Sequence, residues 1–179
     1  MFRTLPLAAL ILAAPIAVLA AGSDMTTPPV STETTRTCTD GMVWSDRKGA
    51  CIAPQSGALD DDVLYGAVRE FAYAGQYGDA AAALDAMSDQ HDDRVLTYRG
   101  FIARKSGDVA GGMQWYRAAL SANPDNLLVR SYMGQGLVES GDPAGARDQL
   151  AEIRLRGGAG SWAELALARA IRTGHGFSY

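Results

Sequence analysis

The sequence predicts an all-α chain in which a short array of helices follows a small disulfide-closed β-hairpin. Glycine recurs at Gly75, Gly107, Gly141 and Gly174, at intervals of 32, 34 and 33 residues. From Asp60 onward, apolar residues recur at three- and four-residue spacing, which is typical of amphipathic helices. Ahead of this region, the two cysteines of the chain flank a stretch with the composition of a hairpin.

The N-terminus has the composition of an export signal. Arg3 precedes an apolar stretch from Leu5 to Leu19, and small residues follow at Ala20 and Ala21, where a signal peptidase would cleave. We expect cleavage after one of these two alanines, so that residues 1–20 form the signal peptide and no membrane span remains. An uncleaved membrane anchor is the alternative. The expected location is the periplasm, and secretion is also open.

The region between the signal peptide and the helices is expected to contain one ordered element. Residues 21–37 are rich in Thr and lack hydrophobic periodicity, so we expect a flexible linker. In residues 38–53, an apolar triplet ending at Trp44 is followed by turn-forming residues and a second apolar piece. In an exported protein Cys38 and Cys51 are expected to form a disulfide, which would stabilise a loop of this size by about 3 kcal/mol. Isolated hairpins are marginal in water, so we expect this hairpin to depend on the bond.

The hairpin sequence CTDGMVWSDRKGAC also suggests a binding role. The spacing of its cysteines, glycine and aromatic residue resembles the central hairpin of peritrophin-type chitin-binding modules, in which the aromatic residue stacks on sugar. The other four cysteines of that family are missing, because this chain has 2 Cys. The resemblance implies a carbohydrate platform at Trp44, and the alternative is that Trp44 only covers the disulfide.

The recurring glycines belong to a larger repeated pattern. In the middle copy, LTYRGFIARKSGDVAGGMQWYRAALSANPDN, the residues Gly100, Gly112 and Tyr116 stand at fixed distances from Gly107, and small or apolar residues recur in step in the other copies. This pattern resembles the tetratricopeptide repeat, a family of helix-turn-helix units of about 34 residues. The resemblance implies a short tetratricopeptide-like helical solenoid of an exported bacterial type over residues 60–179. Its repeats would lie at about 61–92, 93–126 and 127–156, followed by a capping helix at 161–173.

Packing and capping physics explain this pattern independently of the family. Gly100 and Gly112 would let two antiparallel helices approach closely. Asp108 is suited to accept hydrogen bonds from the exposed backbone amides that begin a helix. Ser161 and Glu164 have the spacing of a capping box, which predicts the start of the last helix.

The titratable residues do not predict catalysis. Carboxylates are concentrated at a predicted helix start, residues 60–62, and in a predicted turn, residues 89–93. No exposed serine or cysteine has an identifiable base and no phosphate-binding loop is present, so we expect no catalytic residue, no cofactor and no enzyme activity. We also expect no metal; a cluster of His91 with the neighbouring aspartates is the alternative.

The distribution of charge is uneven along the helical region. Residues 60–93 carry nine acids and one Arg, whereas residues 94–179 carry eleven bases and seven acids. We therefore expect a bipolar molecule, for which solubility and the steering of a partner are both open explanations. The expected mature chain is acidic, so nucleic acid is not an expected partner.

The tetratricopeptide resemblance also implies a binding site. In that family the first helix of each unit lines a concave groove that binds a peptide or protein. The matching positions in this sequence are Tyr65, Arg69, Tyr73, Arg94, Thr97, Phe101, Arg104, Lys105 and Gln135. Exposed aromatic residues flanked by bases suit an extended peptide with an acidic or C-terminal carboxylate group. The alternative is that these side chains pack only against neighbouring helices.

The expected function is therefore that of an exported adaptor or assembly factor, which binds a protein or peptide of unknown identity. The competing hypothesis is an envelope carbohydrate-binding protein that uses the Trp44 hairpin and has the repeats as a scaffold.

Overall fold

The computed structural model describes residues 27–176. In this range the chain is mostly helical, with one two-stranded antiparallel sheet. The helices are α1 (Glu33–Arg36), α2 (Asp61–Tyr73), α3 (Tyr77–Ala86), α4 (Asp93–Lys105), α5 (Val109–Ala122), α6 (Leu127–Glu139), α7 (Pro143–Leu155) and α8 (Trp162–Thr173). The strands are β1 (Val43–Ser45) and β2 (Ala50–Ile52), and a 3-10 turn follows at Pro54–Ser56. None of the helices within 27–176 is long and apolar enough to cross a membrane. The predicted signal peptide lies outside the described residues.

The predicted disulfide-closed hairpin is confirmed. Strand β1 pairs antiparallel with β2, and Trp44 lies directly opposite Cys51. Cys38 is bonded to Cys51, with the two Cα atoms 5.6 Å apart. The side chain of Val43 is buried and belongs to the larger of two hydrophobic clusters, so the hairpin is packed onto the helical part.

The N-terminal segment, residues 27–37, differs from the flexible linker expected there. It contains the single turn of α1, and both Thr32 and Thr35 donate hydrogen bonds to the carboxylate of Glu70 on α2. The backbone amides of the two threonines donate as well, at 2.6 and 3.0 Å. The buried carboxylate of Glu70 thus accepts hydrogen bonds from a stretch that lacks hydrophobic periodicity. These hydrogen bonds order the segment. The earlier part of the expected linker, residues 21–26, lies outside the described residues.

Consecutive long helices pack against each other, as α2 with α3, α4 with α5 and α6 with α7, and α8 packs on α6 and α7. The turns inside these pairs contain Gly75, Gly107 and Gly141, whose φ angles of +75°, +100° and +82° lie in the left-handed region that commonly ends a helix. Asp108 and Asp142 cap the helices that follow, each accepting the backbone N–H three residues later at 2.8 and 2.9 Å. The predicted helix start at Asp108 is therefore confirmed.

Helices α4 and α5 make the close contact that the glycine pattern predicts. A Cβ atom placed on Gly112 would lie 2.9 Å from the carbonyl oxygen of Gly100, and one placed on Gly100 would lie 2.6 Å from the ring of Tyr116. Any larger side chain at these positions would force the two helices apart.

Helix α8 begins at the predicted cap. Ser161 accepts the backbone N–H of Glu164 at 3.3 Å, and the Glu164 carboxylate accepts the N–H of Gly160 at 2.7 Å. Leu167 is fully buried in the smaller hydrophobic cluster, which α8 shares with α6 and α7. Gly174 ends the helix in the left-handed conformation.

Candidate functional site

The residues predicted to line a groove come together as a packed interior. The buried members are Tyr65, Arg69, Thr97, Phe101, Arg104 and Gln135. The half-buried members are Tyr73, Arg94 and Lys105. Phe101, which is 1% exposed, has its ring centroid 4.8 Å from that of Tyr132 and 6.2 Å from that of Tyr73. The expectation that Phe101 and Tyr65 are exposed is therefore wrong, because neighbouring aromatic side chains fill the space beside them.

A row of hydrogen bonds between aromatic side chains closes the same region. The hydroxyl of Tyr132 lies 3.2 Å from that of Tyr98 and 3.1 Å from that of Tyr73, and the indole N–H of Trp162 donates to Tyr73 at 3.1 Å. These residues come from α4, α6, α2 and α8, so four helices are joined where the resemblance implies a groove. This row was not predicted from the sequence. Tyr98 and Tyr132 are 34 residues apart, one repeat interval, and that spacing was the signal for their pairing.

Two arginines of the predicted groove, Arg94 and Arg104, pair with acids of the chain itself. Arg94 contacts Asp62 at 2.9 Å and Asp92 at 2.8 Å, and Arg104 contacts Glu139 at 2.6 Å. Burial raises the pKa of Asp92, but the hydrogen bonds from Arg94 outweigh burial and hold that pKa below its ordinary value. An acidic ligand would have to compete with these internal pairs, so they weaken the expectation of a carboxylate-binding groove.

A cleft of about 470 Å³ lies between the N-terminal segment, the hairpin and α2. We call it the hairpin cleft; it is lined by residues within 29–34, 43–47 and 58–70. Among the predicted groove residues that the structure describes, Arg69 lines this cleft. The other predicted groove residues are not part of its lining.

Trp44 forms part of the wall that the hairpin contributes. Its backbone N–H donates to the Thr34 hydroxyl at 3.2 Å, and its indole N–H donates to the Asp46 carboxylate at 2.9 Å. Since Trp44 is paired with Cys51, its side chain also lies on the face of the sheet that bears the disulfide. Both interpretations of Trp44, as a cover for the disulfide and as a binding platform, are compatible with this position.

The N-terminal segment is attached at the floor of the cleft. Besides the threonine bonds to Glu70, Arg69 donates to the backbone carbonyl of Thr27 at 2.5 Å. Val30 and Val63 line the cleft with apolar side chains that are 59% and 37% exposed. One wall is therefore fixed by a disulfide and another by hydrogen bonds to α2, so the cleft is formed before any ligand arrives.

The alternative metal cluster at His91 has no support in the described part of the chain. The His91 side chain is 95% exposed and lies 3.9 Å from Asp89. Within residues 27–176, no group of three or more His, Cys, Asp or Glu side chains is arranged to bind a metal ion.

No protein-family model, no curated protein and no solved structure matches this chain. The class of protein is therefore defined by the structure alone: a mostly helical chain with a disulfide-closed hairpin and a cleft beside it. Any function has to be argued from the residues of that cleft.

Proposed function

We propose that this chain is an exported interaction protein that binds a peptide or a protein segment in the hairpin cleft and acts as an adaptor or assembly factor. The observation that supports this most directly is the cleft itself, with Trp44, Val30 and Val63 on its walls. Its volume of about 470 Å³ lies within the range of roughly 300 to 1,000 Å³ that ligand pockets occupy. The proposed role is binding, and Glu70 and Arg69 support it by holding the N-terminal segment in place as a wall of the cleft.

The proposed architecture is a tetratricopeptide-like solenoid made of the three helix pairs and α8. It is supported by the glycine interval, by the caps at Asp108 and Asp142, and by the close contact of Gly100 with Gly112. The proposed location is the periplasm, and the apolar N-terminal stretch supports it together with a disulfide that needs an oxidising compartment. Mass spectrometry of the protein from its native envelope would test cleavage after residue 20 or 21.

The binding site is tested by peptide selection on the purified protein with its disulfide intact. Peptides enriched from a phage-displayed random library are synthesised, and their affinities are measured by fluorescence anisotropy. Trp44→Ala should weaken binding by at least about tenfold, because a buried aromatic side chain commonly contributes a large share of binding energy. Trp115→Ala is the matched control, since Trp115 is 40% exposed on α5 and does not line the cleft.

Two results would contradict the proposal. If the selected peptides bind wild-type and Trp44→Ala protein equally well, the site lies elsewhere. If the wild-type protein enriches no peptide, the chain is not a peptide-binding protein.

Carbohydrate binding is the second candidate function. It is favoured by one observation: Trp44 lines the cleft while Asp46 fixes the orientation of its indole ring. A fixed aromatic face flanked by a carboxylate suits a sugar ring, whose C–H face stacks while its hydroxyls donate hydrogen bonds. Retention on insoluble chitin or peptidoglycan that is lost in Trp44→Ala and kept in Trp115→Ala would support this function, and absence of retention would exclude these two polymers.

A further inference from the structure

The lining of the hairpin cleft has an excess of negative charge. It contains five carboxylates and two guanidinium groups, and both guanidinium groups donate to backbone carbonyls of the chain. Arg47 donates to Ala58 at 2.6 Å, and Arg69 donates to Thr27 at 2.5 Å. One of the carboxylates, Glu70, is buried and accepts the hydrogen bonds of the N-terminal segment. The positive groups of the lining thus already have partners within the chain.

The remaining four carboxylates of the lining are exposed to solvent. They are Glu33, Asp46, Asp60 and Asp62. Each accepts a hydrogen bond within the chain through one oxygen, and its other oxygen accepts none from the residues that the structure describes. Asp62 is partly neutralised by Arg94, whereas within residues 27–176 the one hydrogen bond that Asp46 accepts through Oδ1 comes from the uncharged indole of Trp44. Exposed carboxylate oxygens of this kind, which accept no hydrogen bond from the described residues, can pair with a cationic group of a ligand.

Apolar side chains stand next to these acids. Val63 follows Asp62 on α2, and Trp44 is bonded to Asp46. An acidic ligand would meet like charge here, and a purely apolar ligand would leave the carboxylates without a partner. Electrostatic complementarity of this kind selects one partner over another more than it adds affinity.

Resting on the proposed function, we infer that the hairpin cleft binds a peptide segment in which a Lys or Arg stands beside an aliphatic or aromatic side chain. The apolar side chain lies against Trp44 and Val63, and the cationic group faces the exposed carboxylates. This is the opposite charge from the acidic ligand expected from the predicted groove.

The test uses the peptides selected on the wild-type protein. The affinity of each peptide is compared with that of a copy in which the basic residue is replaced by Glu, at low and at high salt. Asp46→Asn should weaken binding of the basic peptide by about two- to fivefold, because it removes one exposed charge while the amide oxygen still accepts the indole N–H. Asp148→Asn is the matched control, since Asp148 is exposed on α7 and lies outside the cleft.

A pair of substitutions at one position separates charge from size. Val63→Lys should weaken binding of the basic peptide by about two- to fivefold relative to Val63→Glu, because the two side chains are similarly long and differ in sign. Added salt should reduce the difference.

The outcomes distinguish this inference from the proposed function. Selected peptides that depend on Trp44 but contain no Lys or Arg, or that bind equally to both Val63 variants, would contradict the inference and leave the proposed function standing. Selection that enriches no peptide dependent on Trp44 would contradict both.

Discussion

The contact between α4 and α5 gives the sharpest test of how the glycine pattern shapes this protein. We expect Gly112→Ala to destabilise the fold, because the added Cβ would lie 2.9 Å from the carbonyl oxygen of Gly100, 3.0 Å from the Cβ of Arg104 and 3.2 Å from its backbone nitrogen. These are backbone and Cβ atoms, so no side-chain rotation can relieve the contact. The two helices would have to move apart.

The magnitude follows from comparison with a second glycine. Gly78 lies near the start of α3, and a Cβ placed there would meet no atom within 4 Å. Both substitutions gain the helix propensity of Ala, worth up to about 1 kcal/mol, so their difference isolates the strain. Overpacking costs about 1–3 kcal/mol, and Gly112→Ala should therefore be less stable than Gly78→Ala by that amount.

The assay is thermal unfolding followed by far-UV circular dichroism, with the disulfide intact in both variants. A difference of 1–3 kcal/mol corresponds to a Tm roughly 2–12 °C lower for Gly112→Ala in a chain of this size. Urea denaturation gives the same comparison as a free energy of unfolding. Equal stability of the two variants would refute the argument that α4 and α5 are in contact at Gly112.

Three further predictions follow from single contacts. Glu70→Gln should lower the free energy of unfolding by about 1–3 kcal/mol and speed hydrogen exchange at residues 32–35, because the new amide N–H₂ faces the donors of two threonines. Unchanged hydrogen exchange would show that the Glu70 carboxylate does not hold the N-terminal segment. Reduction of the disulfide between Cys38 and Cys51 should lower the free energy of unfolding by about 3 kcal/mol and abolish peptide binding, since the hairpin is one wall of the cleft. Reduced protein that binds peptide with native affinity would contradict this prediction. The pKa of Asp92 lies below its ordinary value of 3.8 because hydrogen bonds from Arg94 outweigh burial, so its contribution to stability is complete above pH 3.8 and is lost as pH falls through the lower folded-state pKa. The free energy of unfolding in urea should therefore fall less steeply below pH 3.8 for Asp92→Asn than for wild-type protein. If the two proteins lose stability in parallel as the pH falls, the ion pair of Asp92 with Arg94 does not contribute as expected.

Local features of the fold could be predicted because they depend on residues close in sequence. The caps at Asp108 and Asp142, the left-handed Gly107 and the hairpin around Trp44 each need a few neighbouring residues only. Helical periodicity likewise indicated that the chain is helical from Asp60 onward, since it records which side of a helix is apolar. Periodicity does not record whether that apolar side faces a groove or is covered by other side chains, and Phe101 is an example. The same spacing suits a residue that lines a groove and a residue that is buried by other aromatic side chains.

The cleft could not be predicted because its walls come from distant parts of the chain. Thr32 bonds to Glu70 across 38 residues, and no periodicity connects a Thr-rich stretch with one carboxylate on a helix. The hairpin was predicted as an element, but its placement beside α2 depends on the burial of Val43, which the sequence does not reveal. Trp44 was singled out as a candidate, and only the structure shows that it lines a cleft.

The row of hydrogen bonds from Trp162 to the tyrosines has a consequence for cooperativity. Trp162 and Tyr73 are 89 residues apart, and their bond joins α8 directly to α2. In a linear array each unit contacts only its neighbours, so the ends can unfold separately. In this protein, unfolding of either α2 or α8 would break the hydrogen bond between Tyr73 and Trp162. We therefore expect the amide protons of α2 and α8 to exchange through one shared opening event. Folding should also be slower than for a linear array of the same length, because this contact forms only after most of the chain has been brought together.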